Sequence, residues 1–230
     1  GQVEYVDLNR PELISRLKSI DLIVGLNSRS FSKAMSLFPE AYRILVCVNS
    51  HPLFRNSALL HEADHYRVAL SNEIVNPFRQ LRNIAFADKI VVTGNARVAR
   101  TYLQWGVRRS DLIRVQGVPG SSFSKASTSQ QSKKPLSILY PAGDIGLRKG
   151  VLRFFDCLPI LMGKGLDFSL TIVGERNSVI DNLLDDILHR YAGVSIVGWL
   201  PHEQYVDLMG RHHLVLLLSL EEGQVFSVME

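Results

Sequence analysis

The chain has 230 residues, and its 46% of hydrophobic and 21% of charged residues are typical of a folded globular protein. Its longest strongly apolar run, Leu214 to Leu220, is far shorter than the roughly 20 residues of a membrane-crossing helix and predicts a buried strand. The net charge of +4 comes without a basic stripe interleaved with aromatics, which argues against nucleic acid as a partner.

The basic surplus appears as local pairs such as Arg108-Arg109. Solvated surface is one explanation. Attraction to phosphorylated substrates or to anionic lipid headgroups is the other, and the latter would bring the protein into peripheral contact with a membrane. The two cysteines, Cys47 and Cys157, have no neighbour at metal-ligand or redox-motif spacing. We therefore expect a cytoplasmic protein, working at the inner face of the membrane if lipid attraction applies.

Strand-like runs of Val, Ile and Leu alternate with helix-like segments, which predicts an α/β fold with parallel sheets covered on both faces. Four strands are predicted in the first half: Leu22–Leu26, Ile44–Val48, Lys89–Val92 and Ile113–Gln116. The clearest helix there is Asn95–Trp105, which Asn95 caps and Gly106 terminates. A further helix, Asn9–Ser19, opens with a capping residue followed by Glu12 three positions on.

The segment from Ser121 to Lys134 has no apolar period and predicts a flexible linker. Four more strands are predicted after it: Leu136–Tyr140, Ser169–Val173, Val194–Val197 and Leu214–Leu220. We therefore predict a first domain over residues 1–120, a linker over 121–134 and a second domain over 135–230.

A strand, a glycine-bearing loop and a helix are predicted in succession from Leu136 onward. The loop contains Gly143, Arg148 and Lys149. Such loops turn backbone N–H groups and a helix N-terminus toward an anion, and a lysine adds a full positive charge. The loop therefore predicts a diphosphate site, with a plain turn and a solvated lysine as the alternative.

Small residues also mark the ends of the next two strands, at Gly174 and in the turn Gly198-Trp199-Leu200. Ligands of open parallel sheets bind outside the carboxyl ends of the strands, so these residues leave room for one. After the last strand come Glu222 and Glu230, with residues 223 to 229 between them. Two such carboxylates suit sugar hydroxyls, and loop amides between them suit phosphate oxygens.

Taken in order, these motifs resemble the GT-B glycosyltransferases, specifically the large family 4 of retaining enzymes. The resembling motifs of the second half are the Lys-Gly loop, Ile172-Val-Gly174, Val197-Gly-Trp-Leu-Pro201 and Leu220-Glu-Glu-Gly223. Upstream, Ala87-Asp-Lys-Ile-Val-Val92 and Ile113-Arg-Val-Gln-Gly117 are similar to the family's passage from acceptor domain to donor domain. The resemblance spans roughly Leu22 to Glu230. It implies two Rossmann-like parallel-sheet domains, both truncated relative to a complete enzyme.

The resemblance implies transfer of a sugar, with retention, from a UDP- or GDP-sugar to a glycan or lipid-linked acceptor. In such enzymes a loop lysine and a nearby arginine hold the donor diphosphate. Lys149 matches the lysine, but Asp144 stands where the family has the arginine, and Arg148 is the candidate substitute. By the same resemblance Glu222 contacts the donor sugar and Glu230 the ribose hydroxyls.

Further donor contacts are implied for the backbone amides of Gly223, Gln224 and Val225, and for Trp199 and Leu200 at the base pocket. The resemblance also places His51, just past a predicted strand, near the reacting carbon as an orienting or polarising group. Its alternative is a polar loop histidine with no role. Lys149, Glu222 and His51 are thus the catalytic candidates.

Cleavage of a sugar–diphosphate bond develops negative charge on the departing phosphate. Lys149, the loop amides and a helix beginning near Gly150 would stabilise that charge. This arrangement can replace a metal ion, and the sequence has no Asp-x-Asp pair of the kind that holds one beside a diphosphate. We therefore expect neither a metal nor a cofactor beyond the nucleotide-sugar co-substrate.

Two other functions remain open. The stretch His61-Glu62-Ala-Asp-His65 matches the H-E-x-x-H pattern of zinc peptidases, in which two histidines bind zinc and the glutamate activates water. Against it, Asp64 puts a charge at a position that is normally uncharged, and no third ligand follows at a familiar spacing. The other is a catalytically weak or inactive nucleotide-sugar-binding module, which the presence of Asp144 keeps open.

Overall fold

The computed structural model of the chain describes residues 19–70, 74, 76–116 and 135–221. The predicted linker over 121–134 lies outside these residues, as does the predicted helix Asn9–Ser19 apart from its last residue. The described residues form two compact units. The first consists of 19–56 and 76–116, and the second of 57–70, 74 and 135–221.

The first unit contains a four-stranded parallel sheet in the order β1-β2-β3-β4. Its strands are β1 (Leu22–Leu26), β2 (Tyr42–Cys47), β3 (Lys89–Thr93) and β4 (Leu112–Val115). The helices are α1 (Arg29–Leu37), α2 (Pro52–Tyr66), α3 (Phe78–Phe86) and α4 (Ala96–Gln104), and α2 belongs to the second unit from Ser57 onward. Buried residues of β1, β2 and β3 pack against Phe31, Val98 and Tyr102 of the helices.

Helix α4 confirms a prediction made from local sequence. The side chain of Asn95 accepts hydrogen bonds from the backbone N–H groups of Arg97 and Val98, at 2.8 and 3.1 Å. Gly106 follows the helix with a φ of +93°, a conformation that residues with a side chain rarely adopt. The cap and the stop therefore lie where the sequence predicted them.

The second unit contains a four-stranded parallel sheet in the order β7-β6-β5-β8. Its strands are β5 (Leu136–Ile145), β6 (Phe168–Arg176), β7 (Val194–Val197) and β8 (Leu214–Val215). The helices are α5 (Val151–Gly163), α6 (Asp181–Arg190) and α7 (His202–Gly210). The strand order reverses direction at β5, which has β6 and β7 on one side and β8 on the other. In such sheets the carboxyl edge at the reversal is the usual ligand site.

The α/β fold with two parallel sheets is confirmed, and all eight predicted strands are present. Three strands differ in length from the prediction by more than one residue, and one of them is β6, which spans Phe168–Arg176 rather than Ser169–Val173. Strand β5 runs to Ile145 rather than Tyr140, and β8 ends at Val215 rather than Leu220. Among the described residues, no helix has the length and apolarity needed to cross a bilayer.

Candidate functional site

The carboxyl edge of the second sheet holds a cavity of about 330 Å³. Its lining residues are Pro141, Ala142, Gly143, Lys149, Val173, Trp199, Leu200, His202 and Tyr205. They come from the ends of β5 and β6, from the turn before α5, and from the turn and first residues of α7. The cavity therefore brings together Gly143, Lys149, Trp199 and Leu200, four of the residues that the sequence suggested for donor binding.

Two glycines bring the chain segments at this edge unusually close. Gly143 has a φ of +68° and Gly174 a φ of +151°. A Cβ on Gly174 would lie 2.5 Å from the carbonyl oxygen of Gly143 and 2.7 Å from its nitrogen. Any side chain at position 174 would therefore force β5 and β6 apart beside the cavity. Gly174 itself is not among the lining residues.

The same contact explains why β5 is longer than the sequence predicted. The register with β6 shifts between Pro141 and Gly143, and pairing then resumes through Gly143, Asp144 and Ile145. The amides directly after Gly143 therefore belong to a paired strand rather than to an open loop. Asp144 is exposed, and its carboxylate accepts a hydrogen bond of 3.1 Å from the Asn177 side chain.

The turn that carries Lys149 is short and tightly fixed. Leu147–Lys149 form one turn of 3-10 helix, and Gly150 follows with a φ of +69°. Helix α5 begins at the next residue, without a capping side chain. Lys149 thus lies directly before a helix N-terminus, where the backbone dipoles favour an anion.

Tyr140 links this turn to the chain that leaves β8. The Tyr140 hydroxyl donates to the carbonyl oxygen of Lys149 at 2.6 Å and accepts from the Leu218 N–H at 3.1 Å. A second link runs from the Leu220 N–H to the carbonyl oxygen of Arg148 at 2.9 Å. Because the Tyr140 side chain is fully buried, both of its hydrogen bonds are shielded from water. The links hold the Lys149 turn against residues 218–220.

The cation of Arg148 faces a buried carboxylate. Its Nη1 lies 3.9 Å from Oε1 of Glu221, a residue that is 4% exposed. Arg148 is not among the residues that line the cavity. Glu221 is the last described residue. The predicted donor contacts at Glu222, Gly223, Gln224, Val225 and Glu230 lie outside the described residues and stay predictions.

His51 lies in the first unit, and only 2% of it is exposed. Its ring stacks on Trp105 at 5.8 Å between centroids and meets Tyr102 edge-on at 5.3 Å. Its Nδ1 accepts a hydrogen bond of 3.3 Å from the backbone N–H of Leu53, in the first turn of α2. Burial lowers the pKa of His51 to about 4, so the ring is neutral at pH 7.

A second cavity, of about 360 Å³, lies in the first unit next to His51. Its walls come mainly from α3 and from the residues that follow α4, including Trp105, Arg108 and Asp111. Arg108 and Asp111 form an ion pair of 2.7 Å. The environment of His51 is thus that of a packed, helix-capping imidazole, and its predicted place near the reacting carbon stays a prediction.

The H-E-x-x-H stretch does not have the geometry of a zinc site. Both carboxylate oxygens of Glu62 are bound by the Arg153 guanidinium, at 2.7 Å each, and Glu62 is 2% exposed. His65 lies 3.8 Å from Asp156. Among the described residues, no group of three His, Cys, Asp or Glu side chains could hold a metal ion. Glu62 is thus an ion-pair residue, and the peptidase interpretation is not supported.

Sequence reasoning missed several residues of the site. His202 and Tyr205 line the cavity from the first residues of α7, and Tyr140 and Glu221 support the Lys149 turn. The signal for the first two was available, since Pro201 precedes a helix that starts at the carboxyl edge of the sheet. Nothing in the sequence indicated the contacts of Tyr140, because they depend on where residues 216–220 leave the sheet.

No protein-family model matches the chain, and neither does any curated protein sequence. Solved structures match its fold. TarM aligns with a TM-score of 0.58 and 15% identity over 90% of this chain and 38% of TarM. The pneumococcal O-GlcNAc transferase GtfA, solved with UDP and GlcNAc, gives 0.58 and 15% over 94% of this chain and 41% of GtfA. The N-terminal domain of Candida albicans trehalose-6-phosphate phosphatase gives 0.61 and 14%, over 95% of this chain and 54% of that domain.

The chain therefore spans less than half the length of TarM or GtfA, both of which are GT-B glycosyltransferases. At these identities the likeness shows the fold alone. That fold is the one that the sequence motifs predicted from Leu22 onward. The chain has the GT-B fold of two Rossmann-like parallel sheets.

Proposed function

We propose that the chain is the nucleotide-sugar-binding core of a glycosyltransferase, which transfers a sugar from a nucleotide-diphosphate donor to a glycan or lipid-linked acceptor. The observation that carries the proposal is the cavity at the carboxyl edge of the second sheet, whose lining includes Trp199 and Lys149, the latter two residues before the first residue of α5. Its volume of about 330 Å³ is in the usual range of small-molecule sites.

The lining residues of the cavity suit both halves of a nucleoside diphosphate. Lys149 and the N-terminus of α5 supply positive potential for the diphosphate. Trp199 is 71% exposed and offers an aromatic face on which a base can stack. Leu200 and Tyr205 also line the cavity and add apolar surface. A ligand with an anionic end and a flat apolar end fits this distribution.

The same groups would assist the chemistry. Cleavage of the sugar–phosphate bond adds one negative charge to the departing diphosphate, and a fixed cation beside it lowers the barrier. In this proposal Lys149 provides that cation without a metal ion. The Tyr140 hydroxyl holds the carbonyl group of Lys149, so the backbone of the turn does not need to reorganise as charge develops.

The remaining assignments extend the proposal through the family 4 resemblance. Glu222 would contact the donor sugar, Glu230 the ribose, and the amides of Gly223, Gln224 and Val225 the phosphates. Transfer would proceed with retention, and His51 would take part as a neutral group. GtfA was solved with UDP, and we propose a UDP- or GDP-sugar as the donor here. The predicted cytoplasmic location belongs to the same proposal.

A thermal-shift panel tests donor binding directly, because a ligand that binds only the folded state raises its melting temperature. The panel contains UDP, GDP, ADP, their common sugars and the matching nucleoside monophosphates, each with and without EDTA. We expect one diphosphate to raise Tm, its monophosphate to do so much less, and EDTA to make no difference. No shift with any nucleotide would contradict the proposal. Binding without detectable sugar transfer would instead indicate a nucleotide-binding module.

A pair of lysine variants tests the role of Lys149. Lys149→Ala removes the cation beside the cavity, and we expect roughly tenfold weaker diphosphate binding, since one charge-assisted contact is worth about 1.5 kcal/mol or more. Lys164→Ala, at the other end of the same helix, is the matched control and should bind as the wild type does. Equal affinity for all three proteins would show that the diphosphate lies elsewhere.

A further inference from the structure

The outward side of α3 has an unusual composition. Phe78 is 77% exposed and Phe86 57% exposed, and Arg79 and Arg82 between them are exposed as well. Residues 78, 82 and 86 are four apart and therefore follow one stripe of the helix. At a rise of 1.5 Å per residue, the backbone positions of Phe78 and Phe86 are about 12 Å apart along the helix axis.

The inward side of the same helix is firmly anchored. Asn83 is fully buried, and its side chain donates to the carbonyl oxygen of Ser28 and to Oδ1 of Asn27, both at 3.0 Å. The Ser32 hydroxyl of α1 donates to Oδ1 of Asn83 at 2.7 Å. These bonds fix the rotation of α3 beside α1, so the phenylalanines face away from the core for a structural reason.

Helix α1, which the Ser32–Asn83 hydrogen bond joins to α3, carries further positive charge. Arg29 and Lys33 are exposed on it, and neither α1 nor α3 contains an acidic residue. We name the combined patch the basic–aromatic surface; it consists of Arg29, Lys33, Phe78, Arg79, Arg82 and Phe86. Its charge complements an anionic surface, and its rings suit an apolar layer just beneath one.

We propose that the basic–aromatic surface docks the protein on an anionic lipid membrane, with the phenylalanines inserted at the headgroup level and the arginines paired with lipid phosphates. Interfacial helices combine these two residue types on one exposed side. The surface is the outside of two packed helices rather than a groove, which favours a lipid layer over a single nucleic-acid strand. The proposal goes beyond donor binding, since it requires no nucleotide.

Vesicle co-sedimentation of the whole chain tests the proposal. We expect binding to vesicles of phosphatidylcholine mixed with phosphatidylglycerol, and little binding to phosphatidylcholine alone. Replacing both Arg79 and Arg82 by Gln should weaken binding roughly 30-fold, because each basic side chain near an anionic surface contributes about fivefold. The Phe78→Ser and Phe86→Ser double variant should weaken it at least about tenfold through lost apolar burial.

The matched control replaces Ile160 and Met162 by Ser, since these α5 residues are also apolar and exposed, at 61% and 54%. It should bind vesicles as the wild type does. An equal loss in this control, or no binding to the anionic vesicles, would overturn the proposal. So would a dimer that only the phenylalanine variant disrupts, or a preference for single-stranded RNA that the same variants remove. None of these results bears on nucleotide affinity, so the proposed function is tested separately.

Discussion

At the scale of single residues, Gly150 couples two segments of the candidate site. It has a φ of +69°, and a Cβ at this position would lie 2.0 Å from the carbonyl oxygen of Leu218. Gly106 offers a comparison, because its φ is +93° but nothing lies within 4 Å of its Cβ position. An alanine at position 106 would therefore suffer backbone strain alone, whereas an alanine at position 150 would suffer strain and a steric clash.

We expect Gly106→Ala to lower the free energy of unfolding by about 1 kcal/mol, from the strained backbone alone. Gly150→Ala should lower it by roughly 3 kcal/mol or more, because strain and the clash with Leu218 add. Urea unfolding of the two variants measures the difference. Equal losses would mean that residues 218–220 move away from the Lys149 turn at little cost.

The burial of His51 predicts that the stability of the fold depends on pH. Burial lowers its pKa from 6.5 to about 4, so the unfolded chain binds a proton that the folded protein excludes. Stability from this residue is therefore complete above about pH 6.5 and is lost as the pH falls toward 4, by up to about 3 kcal/mol. Protonation would also remove the acceptor that Nδ1 provides for the Leu53 N–H.

NMR titration of the imidazole gives the pKa directly, and His51→Asn identifies its signal. An asparagine can still accept at the start of α2 but does not titrate. We expect the unfolding free energy of the variant to depend less on pH between 6.5 and 4 than that of the wild type. A titration midpoint near 6.5 would contradict the buried, neutral imidazole and would strengthen the case for an accessible catalytic histidine.

At the scale of elements, the hydroxyl of Tyr140 holds the segment that follows β8, because it accepts a hydrogen bond from the Leu218 N–H. Tyr140→Phe removes only that hydroxyl, and we expect a loss of about 1 kcal/mol in unfolding free energy. Tyr102→Phe is the matched control, since the buried Tyr102 donates a similar bond of 2.9 Å to the carbonyl oxygen of Asn49. If the proposed function is right, only Tyr140→Phe should also weaken diphosphate binding. If both variants bind the diphosphate equally well, the hydrogen bonds of the Tyr140 hydroxyl have a structural role alone.

The pairing of α2 with α5 through Glu62 and Arg153 distinguishes an ion pair from a zinc site. Glu62→Gln should destabilise the fold by about 2 kcal/mol, because the partly exposed Arg153 recovers some hydration. His61→Ala should cost little, since His61 is exposed. Thermal unfolding of both variants, with and without a chelator, provides the measurement. Strong destabilisation by the chelator or by His61→Ala would revive the zinc interpretation.

The sequence predicted elements best where local chemistry decides them. Asn95 and Gly106 bound α4 as predicted, and β1 and β7 have the predicted ends. The failures arose where tertiary contacts decide. The apolar run after Leu214 reads as one strand, yet only Leu214–Val215 and the Leu216 N–H pair with β5 before Leu218 turns to the Tyr140 hydroxyl. No local sequence pattern shows that the backbone stops pairing with β5 and that the Leu218 N–H binds the Tyr140 side chain instead.

Prediction of the site divides in the same way. Gly143, Lys149 and Trp199 line one cavity, and the sequence suggested them because strand ends of a parallel sheet share one edge. His202 and Tyr205 were missed because ordinary surface helices contain the same residue types. His51 lies just past β2 as predicted, but no sequence pattern indicated that its ring stacks on Trp105.

At the scale of the whole molecule, each of the two cavities described above is large enough to be considered as the nucleotide site. The cavity of the second unit is lined by Lys149 and Trp199, and that of the first unit by His51 and Trp105. Their volumes are similar, so size does not distinguish them. Their charged residues do, because the lining of the former includes Lys149, whereas that of the latter includes both members of the Arg108–Asp111 ion pair.

Hydrogen-exchange mass spectrometry with and without the best-binding nucleotide locates the ligand. We expect slower exchange in residues 143–152 and 198–205, because bound phosphate and base order the two turns that border the cavity of the second unit. Peptides around Trp105 should exchange at the same rate in both samples. In Lys149→Ala the protection should fall with the affinity, while Lys164→Ala keeps it. Protection confined to the first-unit cavity would mean that the nucleotide is recognised there, and the proposed roles of Lys149 and Trp199 would fail together.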